Sequence, residues 1–455
     1  MLLCMGFKGK RVLIIGGGVS GRGAESALKK EGAECVVFED GTGRGMPDKT
    51  TGELPDGAGK ELPGGTNKDF PEGEFDLVAV SPGVSREHYV FGYAKSKNIP
   101  VIGEIELGYL LHKGKTVAVT GTNGKTTTVA LTGRILERAG LDVCVCGNIG
   151  VSFAECAANR PRDIAVVEVS SFQLETIDKF KPDIACILNI SPDHLDRHKT
   201  LKNYALTKRR IAENQERGDY LILSQDDVPL FALEDFRPRS TVLYTSLRGR
   251  VSGAYLADGK IYFNGEYVCD RDGIRLEGDH NIADVLAAVC ITKLLGVANN
   301  VIRSVLSEFT QAEHRMSYAG TVNGKNYYND SKGTNAGATL AAIRATVGDT
   351  CLILGGDAKG CGFDGLFGAM PQTVKKIIVI GECAPLIRDS AFRFGYYELE
   401  FCDNLDAAVA AAARQNVDNV LFSPAAASFG MFRDYRERGE KFVEAVKKLK
   451  EGTLP

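Results

Sequence analysis

Short apolar runs alternate with glycine-rich turns and amphipathic stretches along much of the chain. In the first region, glycines follow the run Arg11–Ile15, and Ala24 and Leu28 then lie four positions apart, on one face of a predicted helix. Further strands are predicted at Cys35–Phe38 and within "FDLVAVSPGVS" at 75–85. Strands that alternate with helices in this way predict an α/β fold with parallel sheets.

The same pattern opens a second region, "KTVAVTGTNGKTTTVALTGRILERAG". It predicts a strand over Thr116–Val119 and a helix that begins near Lys125 and stops at Gly140. Apolar strands recur at 164–169 and 184–190. Hairpins are predicted at 221–223 and in "VSGAYLADGKIYFNGEYV", and a helix in "HNIADVLAAVCITKLLG".

A third region holds the strand-like runs "CLILGGD", "KIIVIGE" and "NVLFSPA", which helical stretches separate. We therefore expect three domains, at 1–112, 113–312 and 313–455. Residues 41–74 are rich in glycine, proline and charge, and this composition predicts a long loop or an insertion.

Composition narrows the class of protein. The chain has 455 residues, of which 44% are hydrophobic and 25% charged, as in soluble globular proteins. A net charge of −3 gives no basic field for nucleic acid, and the basic cluster at 208–210 is by default a solvated helix face. No apolar run reaches about 18 residues, and Lys8, Lys10 and Arg11 come too early for a secretory signal. We expect a cytoplasmic protein without membrane insertion.

The twelve cysteines are scattered and form no C-x-x-C pair. Cys144 and Cys146 lie two apart in a strand-like run, which places both side chains on one face. Because the cytosol is reducing, we expect buried free thiols rather than disulfides or a zinc site.

Two glycine-rich loops follow predicted strands. The first, Gly16-x-Gly18-x-x-Gly21, opens a helix, and Glu39 and Asp40 end the next strand, where a ribose-binding acid is expected in a dinucleotide site. A nucleotide-sugar diphosphate fits the same loop, because any phosphate can sit at a helix N-terminus lined by glycines. The alternative to ligand binding is a structural role, in which the glycines form a tight turn that packs the helix against the strand.

The second loop, "TGTNGKTT", predicts a nucleotide phosphate site. Its backbone N–H groups face an anion at the start of a helix, Lys125 supplies a charge for the phosphates, and Thr126 supplies a hydroxyl for Mg²⁺. Glu168 ends an apolar strand, where a charge is costly unless it is paired or bound to metal. Polar residues also crowd the end of the next strand, namely Asn189, Asp193, His194 and Asp196.

Eight motifs occur in order over nearly the whole chain: "TGTNGKTT", "EVSSFQLE", "NISPDHLDRH", "GDHNIADVLAA", "EHRM", "NDSKGTN", "LGGDAKG" and "SPAAASFGMF". Together they resemble the Mur ligase family of ATP-dependent amide-bond ligases. That family uses a compact loop of the TGTNGKT type, so the two-residue gap between Gly121 and Gly124 is the family's own pattern.

The resemblance implies an α/β protein of three domains. A Rossmann-like N-terminal domain would bind the uridine nucleotide, a P-loop ATPase-like central domain would bind ATP and Mg²⁺, and a Rossmann-like C-terminal domain would bring the amino acid. The implied reaction turns the carboxylate of UDP-N-acetylmuramoyl-L-alanine into an acyl phosphate, which the amine of D-glutamate then attacks. A monomer is expected.

The resemblance also implies residue roles. Lys125, His194, Lys208 and Lys359 would be catalytic, and Lys208 aligns with a lysine that is carbamylated in the family; without the resemblance it is part of a surface basic run. The metal would contact Thr126, Glu168, His194 and Lys208. ATP would contact Gly121, Thr122, Asn123, Gly124, Lys125, Thr126, Thr127, Arg315, Asp330 and Lys332. Substrates would contact Val19, Ser20, Ser81, Asn148, Ser170, His194, Thr334, Lys359, Ser428 and Tyr435.

Three departures from the family's pattern leave open which residues contact the uracil and adenine bases. Glu39-Asp40-Gly41 stands where Asp-Thr-Arg is frequent, Tyr435 where Phe is common, and Asp284 where Asn is found near the adenine. Other interpretations are a different Mur ligase, a folylpolyglutamate synthase, a nicotinamide-dependent oxidoreductase built on the first loop, or a non-catalytic ATP-binding module.

Overall fold

The computed structural model describes residues 6–39, 70–71, 73–159, 161–227, 235–310 and 316–454. Asp40, Arg315 and most of the predicted loop 41–74 lie outside these residues. The described chain forms three sheets of four, nine and six strands, each flanked by helices, so the predicted α/β class is confirmed.

The first sheet is parallel, with strand order β2-β1-β3-β4. One face packs on α1 and α3 and the other on α2, so apolar residues fill both sides of β1. The predicted strand at Cys35–Phe38 is confirmed and starts one residue earlier. The elements are β1 Arg11–Ile15, α1 Val19–Lys30, β2 Glu34–Phe38, β3 Leu77–Val80, α2 Tyr89–Ser96, β4 Val101–Gly103 and α3 Glu104–Leu111.

The second sheet has the order β13-β12-β11-β10-β9-β8-β5-β7-β6 and is parallel from β6 to β11. Its strands are β5 Lys115–Thr120, β6 Val143–Gly147, β7 Ile164–Glu168, β8 Ile184–Ile187, β9 Tyr220–Ser224, β10 Thr241–Ser246, β11 Gly253–Ala257, β12 Lys260–Phe263 and β13 Glu266–Asp270. The hairpins β11–β12 and β12–β13 confirm the expectation for that stretch.

The hairpin predicted at 221–223 is wrong. These residues belong to β9, which pairs in parallel with β8 and β10. Leu221, Ile222 and Leu223 are all buried, as in an interior parallel strand that is covered on both faces.

Helices cover both faces of this sheet. The helix predicted near Lys125 is confirmed as α4, and it ends before Gly140, whose φ of 80° closes the last turn. The helices are α4 Lys125–Arg138, α5 Phe153–Asn159, α6 Ser171–Leu174, α7 Leu195–His198, α8 Leu201–Arg209, α9 Asp279–Leu294 and α10 Asn299–Leu306, with short 3₁₀ turns at Arg210–Ala212 and Arg271–Gly273.

The third sheet has the order β14-β15-β19-β16-β17-β18. All three predicted strands are present, and an antiparallel hairpin, β14–β15, is added at one edge. The elements are β14 Ser317–Val322, β15 Lys325–Asn329, α11 Ala336–Ala345, β16 Thr350–Gly355, α12 Asp364–Phe367, β17 Val374–Ile380, α13 Ala384–Arg393, β18 Leu399–Phe401, α14 Leu405–Ala413, β19 Asn419–Phe422 and α15 Tyr435–Lys450.

Two cysteines depart from the expectation of free thiols. Helix α5 lies against the sheet so that Cys156 meets Cys144 of β6, and the structure joins them in a disulfide. The other described cysteines are free. Within the described ranges, no helix is both long and apolar enough to cross a bilayer.

Candidate active site

The loop between β5 and α4 forms the floor of the site. Gly124 has φ 84°, and a Cβ there would lie 2.0 Å from Oδ1 of Asp284, so the position requires glycine. The N–H of Asn123 donates to Oδ1 of Asn189 at 2.8 Å, and the N–H of Thr122 donates to the Asn189 carbonyl at 3.0 Å. The loop is thus held in shape at a helix N-terminus, which favours anions.

Two lysines converge on the same loop carbonyl. Nζ of Lys125 donates to the Gly121 and Thr122 carbonyls, each at 2.8 Å, and Nζ of Lys208 donates to the Gly121 carbonyl, also at 2.8 Å. Lys208 is only 1% exposed, so the expectation of a solvated basic face is wrong for this residue. Burial, together with the charge of Lys125, holds the pKa of Lys208 well below its ordinary value.

Glu168 lies beside the start of α4 because β7 pairs with β5. Its carboxylate is 2% exposed and accepts from the Thr126 hydroxyl at 2.9 Å and from Nδ2 of Asn148 at 3.0 Å. A buried carboxylate and a hydroxyl next to a phosphate-binding loop are the oxygen donors that Mg²⁺ prefers. The residues present therefore fit a magnesium–nucleotide.

His194 and Asp193 follow β8. His194 has φ 53° and lies edge-on to the ring of Phe172, with ring centroids 4.8 Å apart. Burial, with the nearby charge of Lys359, lowers the pKa of His194 to about 4, so its imidazole is neutral near pH 7. Burial raises the pKa of Asp193, but the ammonium of Lys359 outweighs it, and the net pKa is below the ordinary value.

The third sheet contributes side chains to this same loop. Nζ of Lys332 donates to the Thr126 hydroxyl at 3.2 Å and lies 5.2 Å from the centroid of the Tyr435 ring. Asn335 and Asn123 exchange amide hydrogen bonds of 3.0 and 3.2 Å. Residues from two sheets thus meet around one phosphate loop.

A cavity of about 230 Å³ lies between these two parts of the molecule. Asp193, Thr334, Asn335 and Lys359 line it, and the ammonium of Lys359 donates to the Asp193 carboxylate. Ser428 is buried but does not line this cavity.

Two other proposed positions have structural partners of their own. Asp330 is buried and accepts from the Ser423 hydroxyl at 2.6 Å. Ser170 caps α6 in a capping box with Gln173, so a structural role accounts for its contacts in the described chain.

The glycine loop of the first sheet lies at the carboxyl end of β1. A Cβ on Gly21 would lie 1.8 Å from the Gly16 carbonyl, so helix and loop need glycine there. Ser81 donates its hydroxyl to the Gly16 carbonyl at 2.9 Å, Val19 is 57% exposed at the start of α1, and Ser20 is half-buried. The three proposed uridine contacts therefore share one edge of the sheet.

Sequence reasoning missed the residues that connect these parts. Arg197, on α7, donates to the carbonyls of Pro82 and Val84 at 3.1 and 2.9 Å. It also contacts both oxygens of Glu175, at 3.0 and 2.6 Å. Arg197 lies within the motif "SPDHLDRH", so the sequence could have indicated it as a candidate.

The comparisons with known proteins agree with this geometry. A family model described as the Mur ligase middle domain matches residues 119–292. The UDP-N-acetylmuramoylalanine–D-glutamate ligase of Lachnospira eligens is 40% identical over 456 residues, which cover 98% of this chain and 100% of that protein.

Two solved structures share the fold. The UDP-N-acetylmuramate-alanine ligase of Thermotoga maritima has a TM-score of 0.58 at 18% identity, covering 97% of this chain and 100% of its own. The MurF ligase of Thermotoga maritima in complex with ADP has a TM-score of 0.58 at 15% identity, covering 83% and 95%.

A phosphate loop with a buried carboxylate beside it, where residues associated with two α/β sheets meet, suits an ATP-dependent ligase. The chain belongs to the Mur ligase family. This membership favours the ligase interpretation over the nicotinamide-dependent oxidoreductase and over a non-catalytic module.

Proposed function

We propose that the enzyme works in the cytoplasm and joins D-glutamate to UDP-N-acetylmuramoyl-L-alanine, using ATP and an acyl-phosphate intermediate. Relatives that carry this activity in their names are about 40% identical over the full chain. The observation that carries the proposal is the contact set of Thr126, which joins Glu168 on one side and Lys332 on the other. This arrangement suits a phosphoryl group held between two domains.

The phosphate loop would hold ATP through its backbone N–H groups and the charge of Lys125. Mg²⁺ would neutralise phosphate charge, and its ligands would come from Thr126, Glu168, His194 and Lys208. From the third domain, Asp330 and Lys332 would meet the nucleotide; Arg315 is a further candidate outside the described residues. The remaining loop contacts are Gly121, Thr122, Asn123, Gly124 and Thr127.

We propose that Lys208 is carbamylated. Its depressed pKa favours the neutral amine over the ammonium, and the neutral amine is the form that takes up CO₂. The product is an anion with oxygen ligands, and this would turn a buried cation into a group that suits Mg²⁺. The position of Nζ, 2.8 Å from the Gly121 carbonyl at the phosphate loop, supports this role.

The interdomain cavity suits D-glutamate. Lys359 would offset a substrate carboxylate together with the charge that develops during attack, and the Thr334 hydroxyl lies on the same wall. Ser428 and Tyr435 do not line this cavity and are further candidates for contacts with the amino acid. His194 follows Asp193, which lines the cavity, and its imidazole, neutral near pH 7, would help to orient the reacting groups.

The uridine nucleotide would bind at the first glycine loop, against Val19, Ser20 and Ser81, with Asn148, Ser170 and His194 toward the muramoyl-alanine end. Under this proposal the three units are 1–112, 113–312 and 313–455, and the protein acts as a monomer. A different Mur ligase or a folylpolyglutamate synthase remains the alternative in the same family.

Phosphate release from ATP tests the proposal directly. We expect release only when UDP-N-acetylmuramoyl-L-alanine and D-glutamate are both present. L-Glutamate, L-lysine and a folate acceptor are the controls, and equal release with any of them would reject the assignment. NADH binding that no uridine nucleotide competes would revive the oxidoreductase.

A further inference from the structure

Three cysteines meet on one side of the second sheet. Cys144 and Cys146 lie two apart on β6, Cys156 lies on α5, and their sulfur atoms are all within 4.8 Å of one another. Cys146 and Cys156 are buried, whereas Cys144 is half-buried. None of the three belongs to the proposed active site.

The strand that carries two of these cysteines leads into the phosphate site. β6 is the edge strand of its sheet and ends at Gly147, which pairs with Glu168. The next residue is Asn148, whose amide donates to the Glu168 carboxylate at 3.0 Å. A change in the mobility of β6 therefore reaches a proposed metal ligand through one residue.

The helix that carries the third cysteine supports the first domain. α5 packs against α1 and α3, and Nζ of Lys30 donates to the Ala158 carbonyl at 2.6 Å. At the other end of α5, the N–H of Ala154 donates to Oε1 of Glu104 at 2.8 Å. A link between Cys144 and Cys156 thus ties the edge strand to the helix on which the first domain rests.

We propose that Cys144, Cys146 and Cys156 form a reversible oxidation site for small-molecule disulfides, which clamps β6 to α5. In the first step the Cys144 thiolate attacks a disulfide RSSR, giving a mixed disulfide and one RS⁻. The Cys156 thiol then loses its proton and attacks the Cys144 sulfur, releasing a second RS⁻. Two protein thiols are oxidised and one external disulfide is reduced to two thiols, with both protons passing to solvent or to the leaving thiolates.

The environments of the three sulfurs differ in a way that gives each a role. Cys144 is the most accessible, so an external reagent meets it first. Cys146 lies on the same strand as Cys144, and burial, with the carboxylate of Glu104, raises the pKa of its thiol. The sulfur that the structure joins to Cys144 is that of Cys156, so Cys156 is the partner that closes the link.

The closed link has a predictable effect on stability. It closes a short loop, with a sequence separation of 12, and so restricts the unfolded chain. For a chain of 455 residues we expect the oxidised form to melt roughly 3 °C higher than the reduced form. This expectation does not depend on which reaction the enzyme catalyses.

The test uses the full-length protein, first reduced and freed of reductant, then incubated with glutathione disulfide. We expect peptide mapping without reduction to find Cys144 joined to Cys156, and the rise in melting temperature to be reversed by dithiothreitol. Cys144→Ser should abolish both results, whereas Cys402→Ser, at a half-buried free thiol just after β18, should retain them. A mixed disulfide on Cys144 alone, or the same thermal shift in Cys144→Ser, would overturn the proposal.

Hydrogen exchange gives a second measurement that needs no variant. Amides of 143–148 should exchange at least about threefold more slowly in the oxidised protein, because local opening of the edge strand is suppressed. Equal exchange in the two forms, despite a mapped Cys144–Cys156 bond, would refute the coupling to Asn148.

Discussion

Lys332 donates to the hydroxyl of Thr126 at 3.2 Å, and that hydroxyl donates to Oε2 of Glu168 at 2.9 Å. One hydroxyl therefore connects a lysine in the loop after β15 with a buried carboxylate at the end of β7. Since Thr126 stands at the start of α4, the contact set forms where the helix N-terminus attracts phosphate.

Removal of that hydroxyl should impair catalysis more than folding. We expect Thr126→Ala to lower kcat/KM about 10²-fold, because the hydroxyl proposed to contact both the metal and the phosphate is lost. Thr126→Ser keeps the hydroxyl and should stay within about fivefold of the natural enzyme. Steady-state phosphate release measures both variants, and equal losses in the two would contradict the role of the hydroxyl.

Loss of the Glu168 charge should weaken the response to Mg²⁺. Glu168→Gln retains the size of the side chain and should lower kcat about 10³-fold while raising the Mg²⁺ concentration needed for half-maximal rate. The exposed Glu31→Gln serves as control. A magnesium titration of phosphate release decides the matter, and an unchanged midpoint would exclude Glu168 as a ligand.

Lys208 offers a test by chemical rescue. We expect Lys208→Ala to lose at least about 10²-fold in kcat, and short-chain carboxylates to restore part of it, because they supply the oxygen ligands of the missing carbamate. Lys202→Ala, on the exposed face of the same helix, should be unaffected. Unchanged activity of Lys208→Ala without added carboxylate would reject the carbamate.

The sequence predicts the parts of the site whose chemistry is local. Short motifs contain the loop at Gly121–Gly124, Lys125, Thr126 and Glu168. In such motifs the residue types, the preceding strand and the following helix together indicate the function. The parallel sheets follow from the same alternation of apolar runs and helices.

Packing between distant segments could not be predicted in this way. Asn123 and Asn335 pair although 212 residues separate them, and Lys208 is buried although its neighbours suggest a solvated face. Cys156 meets Cys144 because a helix crosses an edge strand. In each case tertiary contacts set the environment of a residue whose local sequence is ambiguous.

His194 predicts a pH dependence of stability. Its folded pKa of about 4 lies below the ordinary value of 6.5, so the unfolded chain takes up a proton between those values while the folded protein does not. This contribution to stability is therefore complete above pH 6.5 and is lost as the pH falls towards 4.

Denaturant unfolding at several pH values measures this effect. Because burial also lowers the pKa of His112 and His198, the informative quantity is the difference between the natural protein and His194→Gln. The variant should lose less stability than the natural protein between pH 6.5 and 4. If the free energy of unfolding changed with pH in the same way for both proteins, the pKa of His194 would not be lowered in the folded state.

Arg197 should affect the uridine substrate selectively. Its guanidinium contacts Glu175 through two nitrogens and the carbonyls of Pro82 and Val84, beside Ser81 of the first glycine loop, and it lies 4.4 Å from the centroid of the Phe172 ring. Lysine cannot reproduce this planar set of donors.

We therefore expect Arg197→Lys to raise the KM for UDP-N-acetylmuramoyl-L-alanine about tenfold and the KM for ATP less than about twofold. Arg248→Lys, whose side chain is 80% exposed, is the matched control. Initial rates over a grid of both substrates separate the two constants. An equal rise in both KM values would mean that Arg197 supports the whole site rather than the contact with the loop at Pro82 and Val84.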